Sequence, residues 1–252
     1  RFTSELGNTF DYIGGLFFQS NNLTYKDQIA LPSDTLLYTV LAGIPTAAAL
    51  APAAPNSSTG RTFNQDGEIW AAFAQVTWNL RDDLRLTAGG RYSSETKSAD
   101  RTQAHQANAA FGGQVQSPVT IDPVSGAYNA LYGIFSIEAY DTIYGELDDS
   151  SFSPVVTLQW DADADTMVYA TWTKGFKSGG FDARSNGHPD PLVNNAGNPL
   201  RGTPITGSWE FDREEALSYE LGSKMSLADG AAELSLAWYM TEYTDLQVSQ
   251  FD

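Results

Sequence analysis

The sequence predicts an all-β protein, an antiparallel up-and-down transmembrane β-barrel segment of seven or eight strands, with short turns on one side and long loops on the other. Three observations predict it. Apolar residues recur at every second position in seven segments, the period of a strand with one greasy face. Several of these segments sustain the alternation for about ten residues or more, the length at which a tilted strand crosses a bilayer. The connections alternate between tight turns and stretches far beyond the median of roughly 4–6 residues in compact domains.

At the amino end, residues 1–4 run into a Gly7-Asn8 turn signal and make a candidate eighth strand. Segment 10–18 sets Tyr12, Leu16 and Phe18 on one face. Segment 67–80 carries Trp70, Ala72, Ala74, Val76, Trp78 and Leu80 at even positions, with Gln75, Thr77 and Asn79 closing the odd set. Segment 84–97 alternates Leu84, Leu86, Ala88, Gly90 and Tyr92 with Arg85, Thr87, Arg91, Ser93, Glu95 and Lys97. Segment 152–160 aligns Val156, Leu158 and Trp160, and segment 167–178 aligns Val168, Ala170, Trp172 and Phe176. Segment 217–227 opposes Tyr219 and Leu221 to Ser218, Glu220 and Lys224; segment 232–248 carries Leu234, Leu236, Trp238 and Met240. Tight turns are expected at 79–83, 161–165 and 228–230, and long loops at about 19–66, 98–149 and 179–213.

The alternation assigns faces. Trp70 and Trp78 share one, about 26 Å apart along a strand and near 20 Å in height at a ~40° tilt, a spacing that suits two aromatic girdles. The expected lipid-facing girdle is Trp70, Trp78, Trp160, Trp172 and Trp238. The expected lumen-facing residues are Arg85, Arg91, Glu95, Lys97, Glu220 and Lys224, where opposite charges can pair across strands. Two other architectures share parts of this pattern. One is a secreted β-sandwich that binds carbohydrate or another ligand through its loops, although sandwich strands run to about 5–6 residues. The other is a complete small barrel of eight strands acting as adhesin or pore, which requires its first and last strands to pair.

Composition narrows the class. The 252 residues hold 14 Lys+Arg against 31 Asp+Glu, a net charge of −17, which argues against nucleic acid or an anionic membrane surface as the main partner. Cysteine is absent, which removes disulfides, thiolate nucleophiles and thiolate metal sites. No run of about 18 apolar residues exists for a membrane helix. The Ala-rich stretch 40–55 is broken by Pro45, Pro52 and Pro55 and reads as a loop with a helical turn. The chain opens on Arg1 with no basic segment leading into an apolar one, so no signal peptide is expected within it.

Little supports catalysis. His105 and His188 stand in long polar segments without a second histidine at ligand spacing, and read as solvated loop residues. Asp161, Asp163 and Asp165 open like a calcium loop, but Thr166 and Trp172 occupy the places of its glycine and bidentate glutamate, so an acidic hairpin turn is the better reading. Gly179-Gly180 follows Lys177-Ser178 but leads into no helix, which argues for a strand end rather than a phosphate cradle. Glu214 and Glu215 are adjacent on a strand and so point to opposite faces. Segment 98–149 carries Asp100, Asp122, Glu138, Asp141, Glu146, Asp148 and Asp149 against Arg101. It suits solvation first, and a cationic ligand or divalent bridging to lipopolysaccharide second. Segment 179–213 offers Arg184, Arg201, Trp209 and Phe211 to an anionic or aromatic ligand. No enzyme activity, metal or cofactor is expected.

Four pieces then resemble successive barrel strands of TonB-dependent outer-membrane receptors of Gram-negative bacteria. They are Leu86-Thr-Ala-Gly-Gly-Arg-Tyr92, Tyr169-Ala-Thr-Trp-Thr-Lys-Gly-Phe-Lys-Ser-Gly-Gly-Phe181, Tyr219-Glu-Leu-Gly-Ser-Lys224 and Ala237-Trp-Tyr-Met-Thr-Glu-Tyr-Thr-Asp-Leu-Gln-Val248. The resemblance covers most strands and little of the long segments. It implies a 22-stranded barrel filled by an amino-terminal plug, of which residues 1–252 would be one part of the single barrel domain, without the plug. It further implies the outer membrane as location, and import of a scarce nutrient such as a ferric siderophore. The implied partners are outer-membrane lipid, a small-molecule chelate, and the TonB complex, met through an amino-terminal part not present in this chain.

Overall fold

The computed structural model describes residues 2–4, 9–32, 34–55, 57–107, 126–135, 137, 139–189, 192–193, 199–201 and 209–248. In chain order the elements are β1 (Phe2–Thr3), β2 (Phe10–Leu31), α1 (Leu36–Ala42), a 3-10 helix (Ala48–Ala53), β3 (Ser57–Arg81), β4 (Leu84–Ala107), α2 (Gly126–Gly133), β5 (Tyr140–Asp161) and β6 (Thr166–Lys177). Four short strands follow, β7 (Gly180–Phe181), β8 (Leu192–Val193), β9 (Pro199–Arg201) and β10 (Glu210–Phe211), then β11 (Glu214–Leu227) and β12 (Ala232–Thr244).

Eight strands make one antiparallel sheet in the order β1-β2-β3-β4-β5-β6-β11-β12. This is the up-and-down order the alternation predicts, and the short β1 supplies the eighth strand. Among the described residues β1 and β12 are edges that do not pair with each other, so the sheet is an open stretch of barrel wall. A closed eight-stranded barrel is thereby excluded. A sandwich falls too, because one eight-stranded sheet stands where two stacked sheets would be required, and the remaining two sheets have two strands each.

Three tight turns join the hairpins. Asp82 and Asp83 alone turn β3 into β4. Residues 162–165 form the acidic turn between β5 and β6, with the Ala162 amide donating to the Thr166 carbonyl at 2.8 Å and the Asp165 amide to Asp163 Oδ1 at 2.9 Å. Between β11 and β12, Ala228 (φ 53), Asp229 (φ 54) and Gly230 (φ 85) all adopt left-handed backbone, the geometry that matches a tight hairpin to the twist of its strands.

The strands reach well beyond the segments that the alternation marks out. Pairing of β2 with β3 continues from Phe10↔Trp78 to Leu31↔Ser57, so much of the expected loop 19–66 is ladder. Pairing of β3 with β4 continues to Ser57↔Ala107, and β5 joins β4 from Gln103↔Tyr140. Asp100 therefore stands on β4, and Asp141, Glu146, Asp148 and Asp149 stand on β5; Asp122 and Glu138 lie outside the described residues. The long connections shrink to 32–56, 108–139 and 178–213. The 25 residues of β3 measure about 80 Å along the strand, roughly 60 Å in height at a ~40° tilt and twice what a bilayer core requires.

The reason for the undercount is a change of phase. In the lower part of the wall the apolar residues are even-numbered on β2 to β6. Higher up they are odd-numbered: Leu23, Tyr25, Ile29 and Leu31 on β2, Phe63 on β3, Ala99 on β4, Ile143 and Leu147 on β5. The dry face thus changes sides partway up β2, β3, β4 and β5. The upper dry face packs against two clusters. One gathers Leu41, Ala51, Ala54, Leu131, Tyr132 and Ile137 from the helical pieces, the other Phe63, Ala99, Phe181 and Trp209.

The expected strand 232–248 stops at Thr244, where Asp245 turns to φ 54 and the chain leaves the ladder. Gln247 is freed by that turn to donate its amide to Glu214 Oε2 at 2.9 Å and its Nε2 to the carbonyls of Asp212 and Ser178 at 2.9 and 3.1 Å.

Candidate functional site

The lower wall sorts its side chains by face. Paired residues of neighbouring strands lie on the same side, and the register carries one row through Phe10, Trp78, Leu86, Leu158, Ala170, Leu221 and Trp238. Trp70, Trp160 and Trp172 fall on that face by the same parity. Cross-strand aromatic pairs reinforce it, Phe10 with Trp78 at 5.6 Å and Phe18 with Trp70 at 4.3 Å between centroids. From Trp70 to Leu80 the band spans about 25 Å of height at a ~40° tilt.

Arg85, Arg91, Glu95, Lys97, Glu220 and Lys224 all lie on the opposite face by register. Arg85 pairs with Asp161 at 2.5 Å, Lys97 with Glu95 at 3.2 Å, and Tyr169 donates its hydroxyl to Glu220. Arg91 lies over the Phe17 ring at 4.9 Å and donates to Ser93 Oγ at 2.9 Å. Between them runs a row of small hydroxyls, Thr77 to Thr87 at 2.9 Å and Thr157 to Thr171 at 3.0 Å. The five tryptophans are thus brought onto one face and the six charged residues onto the other.

Upward on the charged face, three ladder rows build a denser site. They are Asp27-Arg61-Gln103-Tyr140, Tyr25-Phe63-Arg101-Ile143 and Gln65-Ala99-Gly145. Arg61 forms a bidentate pair with Asp27, Nε to Oδ1 at 3.0 Å and Nη2 to Oδ2. Arg101 is fully buried, with its guanidinium 5.1 Å from the Trp209 ring and 5.6 Å from the Tyr140 ring. Burial pushes it below its ordinary range, offset in part by Tyr140 and by the Asp182 carboxylate. Arg101 Nε and Trp209 Nε1 are buried donors with no acceptor among the described residues. Gly145 makes the room: a Cβ there would run into Phe181 and stand 2.9 Å from Trp209 Nε1.

Residues 178–188 lie across these rows. The strap begins at Lys97, whose Nζ donates to Ser178 Oγ and the Gly179 carbonyl, both at 2.7 Å. Arg101 donates to the carbonyls of Asp182 at 2.6 Å and Gly187 at 3.0 Å, and Gln103 to that of Asn186 at 2.8 Å. Arg61 Nη1 reaches the carbonyls of Arg184 and Ser185 and, at 3.3 Å, Asn186 Oδ1. Gly179 and Gly180 enter β7, a strand end as expected.

Two expectations change here. His105 is not a solvated loop residue. It stands on β4, 4% exposed, stacked on Tyr132 at 4.8 Å with Nδ1 2.6 Å from Thr59 Oγ1, because the strand continues under α2. His188 does lie in a connection, but set edge-on to Tyr140 at 5.3 Å. Of the expected loop residues, Trp209 is buried in the site and Phe211 belongs to β10, whereas Arg184 contributes its carbonyl; the Arg201 side chain lies outside the described residues. Arg61, Arg101, Gln103 and Asp27 escape the alternation because they stand above the change of phase.

The sequence profile of the TonB-dependent receptor-like β-barrel matches residues 1–252. The chain belongs to the TonB-dependent receptor β-barrel family. Members of this family are outer-membrane receptors and transporters, not enzymes. Among solved structures, the ferric yersiniabactin uptake receptor FyuA of Yersinia pestis superposes with a TM-score of 0.58 at 18% identity, over 97% of this chain and 27% of that one, and supports the barrel fold. The alcaligin outer-membrane receptor FauA of Bordetella pertussis matches 96% of this chain and 32% of its own at 13% identity, with a TM-score of 0.41. The ferric-catecholate import receptor Fiu of E. coli matches 94% of this chain and 32% of its own at 13% identity, with a TM-score of 0.43. The chain therefore spans about a third or less of the length of these receptors. No curated protein matches the sequence.

Proposed function

We propose that residues 1–252 form part of the barrel wall of a Gram-negative outer-membrane receptor that imports an anionic iron chelate of the siderophore type, energised through TonB. The tryptophan face meets lipid and the charged face lines the lumen. One observation carries the reading: a wall whose apolar band is about a bilayer core in height, with a paired polar face behind it, in a chain that matches a receptor barrel family along its whole length. The upper charged face, with Arg61, Arg101 and Trp209, is the ligand's side of the wall. A chelate rich in oxygen donors and negative charge suits buried guanidinium and indole donors.

The test is transport by the full-length protein. Cells lacking its gene should lose uptake of one or more ⁵⁵Fe-labelled chelates from a panel of hydroxamates, catecholates and carboxylates. Uptake restored by returning the full-length gene should vanish in a tonB-deficient strain. Uptake of every chelate at the parental rate in the deletion strain would remove the proposal.

A further inference from the structure

The cations of the upper wall are already occupied, and by unusual partners. Residues 178–188 offer them neutral carbonyls: those of Gly179, Asp182, Arg184, Ser185, Asn186 and Gly187 are all held by Arg61, Lys97, Arg101 or Gln103. The strap also seals itself. Asp182 Oδ1 accepts from the amides of Arg184 and Ser185, the Asp182 amide donates to the Trp209 carbonyl, and Phe181 packs with Trp209 over Phe63 and Ala99.

A buried guanidinium bound by carbonyl dipoles has its donors satisfied but its charge left without a counter-ion, whereas one facing a carboxylate has both compensated. Arg61 shows the contrast within one residue, with Nε and Nη2 on the Asp27 carboxylate and Nη1 left to the strap. Arg101 holds strap carbonyls at both Nη atoms, and among the described residues its Nε and Trp209 Nε1 have no acceptor. These donors are positioned for an acceptor richer in charge than a peptide carbonyl.

We infer that residues 178–188 are a latched strap over the upper wall, held closed by Arg61 and Arg101, and that an anionic ligand opens it by taking those guanidinium groups from the backbone carbonyls. The inference rests on the upper wall being the ligand's side, and adds that the ligand competes with the chain itself. Opening follows from differential affinity: the anion bonds the guanidinium groups only when the carbonyls have left, so its binding shifts the population toward the lifted strap. Lys97, which holds the strap's first turn, acts as the hinge side.

Ala99 is buried beneath Phe181 and Trp209, and the chain has no cysteine, so Ala99→Cys gives a reporter under the strap. The experiment uses the full-length receptor in outer membranes, free of other accessible cysteines, and reads the rate at which a membrane-impermeant maleimide labels position 99. The probe is sodium citrate, a tricarboxylate, against sodium chloride at equal ionic strength. Citrate should raise the labelling rate about tenfold, and Arg101→Gln or Arg61→Gln should raise it about tenfold in chloride alone and abolish the citrate effect. Variants are compared at equal amounts of membrane-inserted protein, and the citrate arm needs no arginine variant. A labelling rate indifferent to citrate in the Arg61/Arg101 background overturns the latch. Chelate uptake with an unresponsive strap would remove the latch and leave transport standing; a responsive strap without TonB-dependent uptake would remove transport alone.

Discussion

The ring of Phe152 on β5 occupies the space that a Cβ at Gly90 on β4 would fill. The two are diagonal neighbours, since Gly90 pairs directly with Pro154 and Phe152 with Tyr92. The aromatic ring covers backbone that a glycine leaves bare, a recurrent way to recover packing in a strand. Gly90→Ala should destabilise the folded barrel by about 1–2 kcal/mol through the displaced ring, and Phe152→Ala should remove most of that penalty when combined with it. Urea titrations in lipid vesicles followed by tryptophan fluorescence would give the values. Additive effects of the two substitutions would show that the ring does not lie where it is placed.

The faces predict opposite sensitivities to charge. Val76→Arg, at the middle of the tryptophan-bearing band, should cost about 2–4 kcal/mol of insertion free energy, and Trp78→Arg, nearer the turn, less. Arg91→Ala, on the other face, should leave insertion near the parental level. Heat-modifiability on gels reads the folded fraction directly. Equal losses for Val76→Arg and Arg91→Ala would reverse the assignment.

Asp27 and Arg61 face each other on adjacent strands, with side chains 28% and 7% exposed. Asp27→Asn should lower stability by about 1–3 kcal/mol, because it leaves a largely buried guanidinium with a weaker partner. A double-mutant cycle with Arg61→Gln should return a coupling of about 1 kcal/mol or more. A coupling near zero would show that the pair contributes nothing beyond its burial.

Tyr132 on α2 carries a phenol held above its ordinary range by burial, opposed by its hydrogen bond to Ser57 at 3.1 Å. The sign follows from linkage: the raised group leaves stability intact below the ordinary phenol range, and stability falls as pH rises through the folded value. Alkaline titration should therefore show Tyr132 ionising after the exposed tyrosines, with loss of the helical cap as it does. Tyr132→Phe should remove that alkaline step. An alkaline absorbance titration unchanged in the variant would discard the assignment.

The lower wall was legible in the sequence because one rule governs it. Even-numbered residues from Trp70 to Leu80 and from Leu84 to Tyr92 are apolar without a break, and the register places them together. The upper wall obeys the same period in the opposite phase, and its dry residues are diluted by Thr, Asn, Gln and charged neighbours. Phe63 and Ala99 gain their meaning only from Phe181 and Trp209, which arrive from more than eighty residues later in the chain. His105 illustrates the limit. A histidine among Gln, Ala and Asn looks wet, and nothing local announces that α2 will lie on it.

The change of phase between lower and upper wall has a consequence for how the strands find their partners. A one-residue slip between β3 and β4 would turn the tryptophans of the lower storey toward the polar side. The same slip of β3 would swing Arg61 of the upper storey outward, away from the strap. β2 to β5 are therefore each checked at two heights against two different surroundings, and a one-residue misalignment offends both.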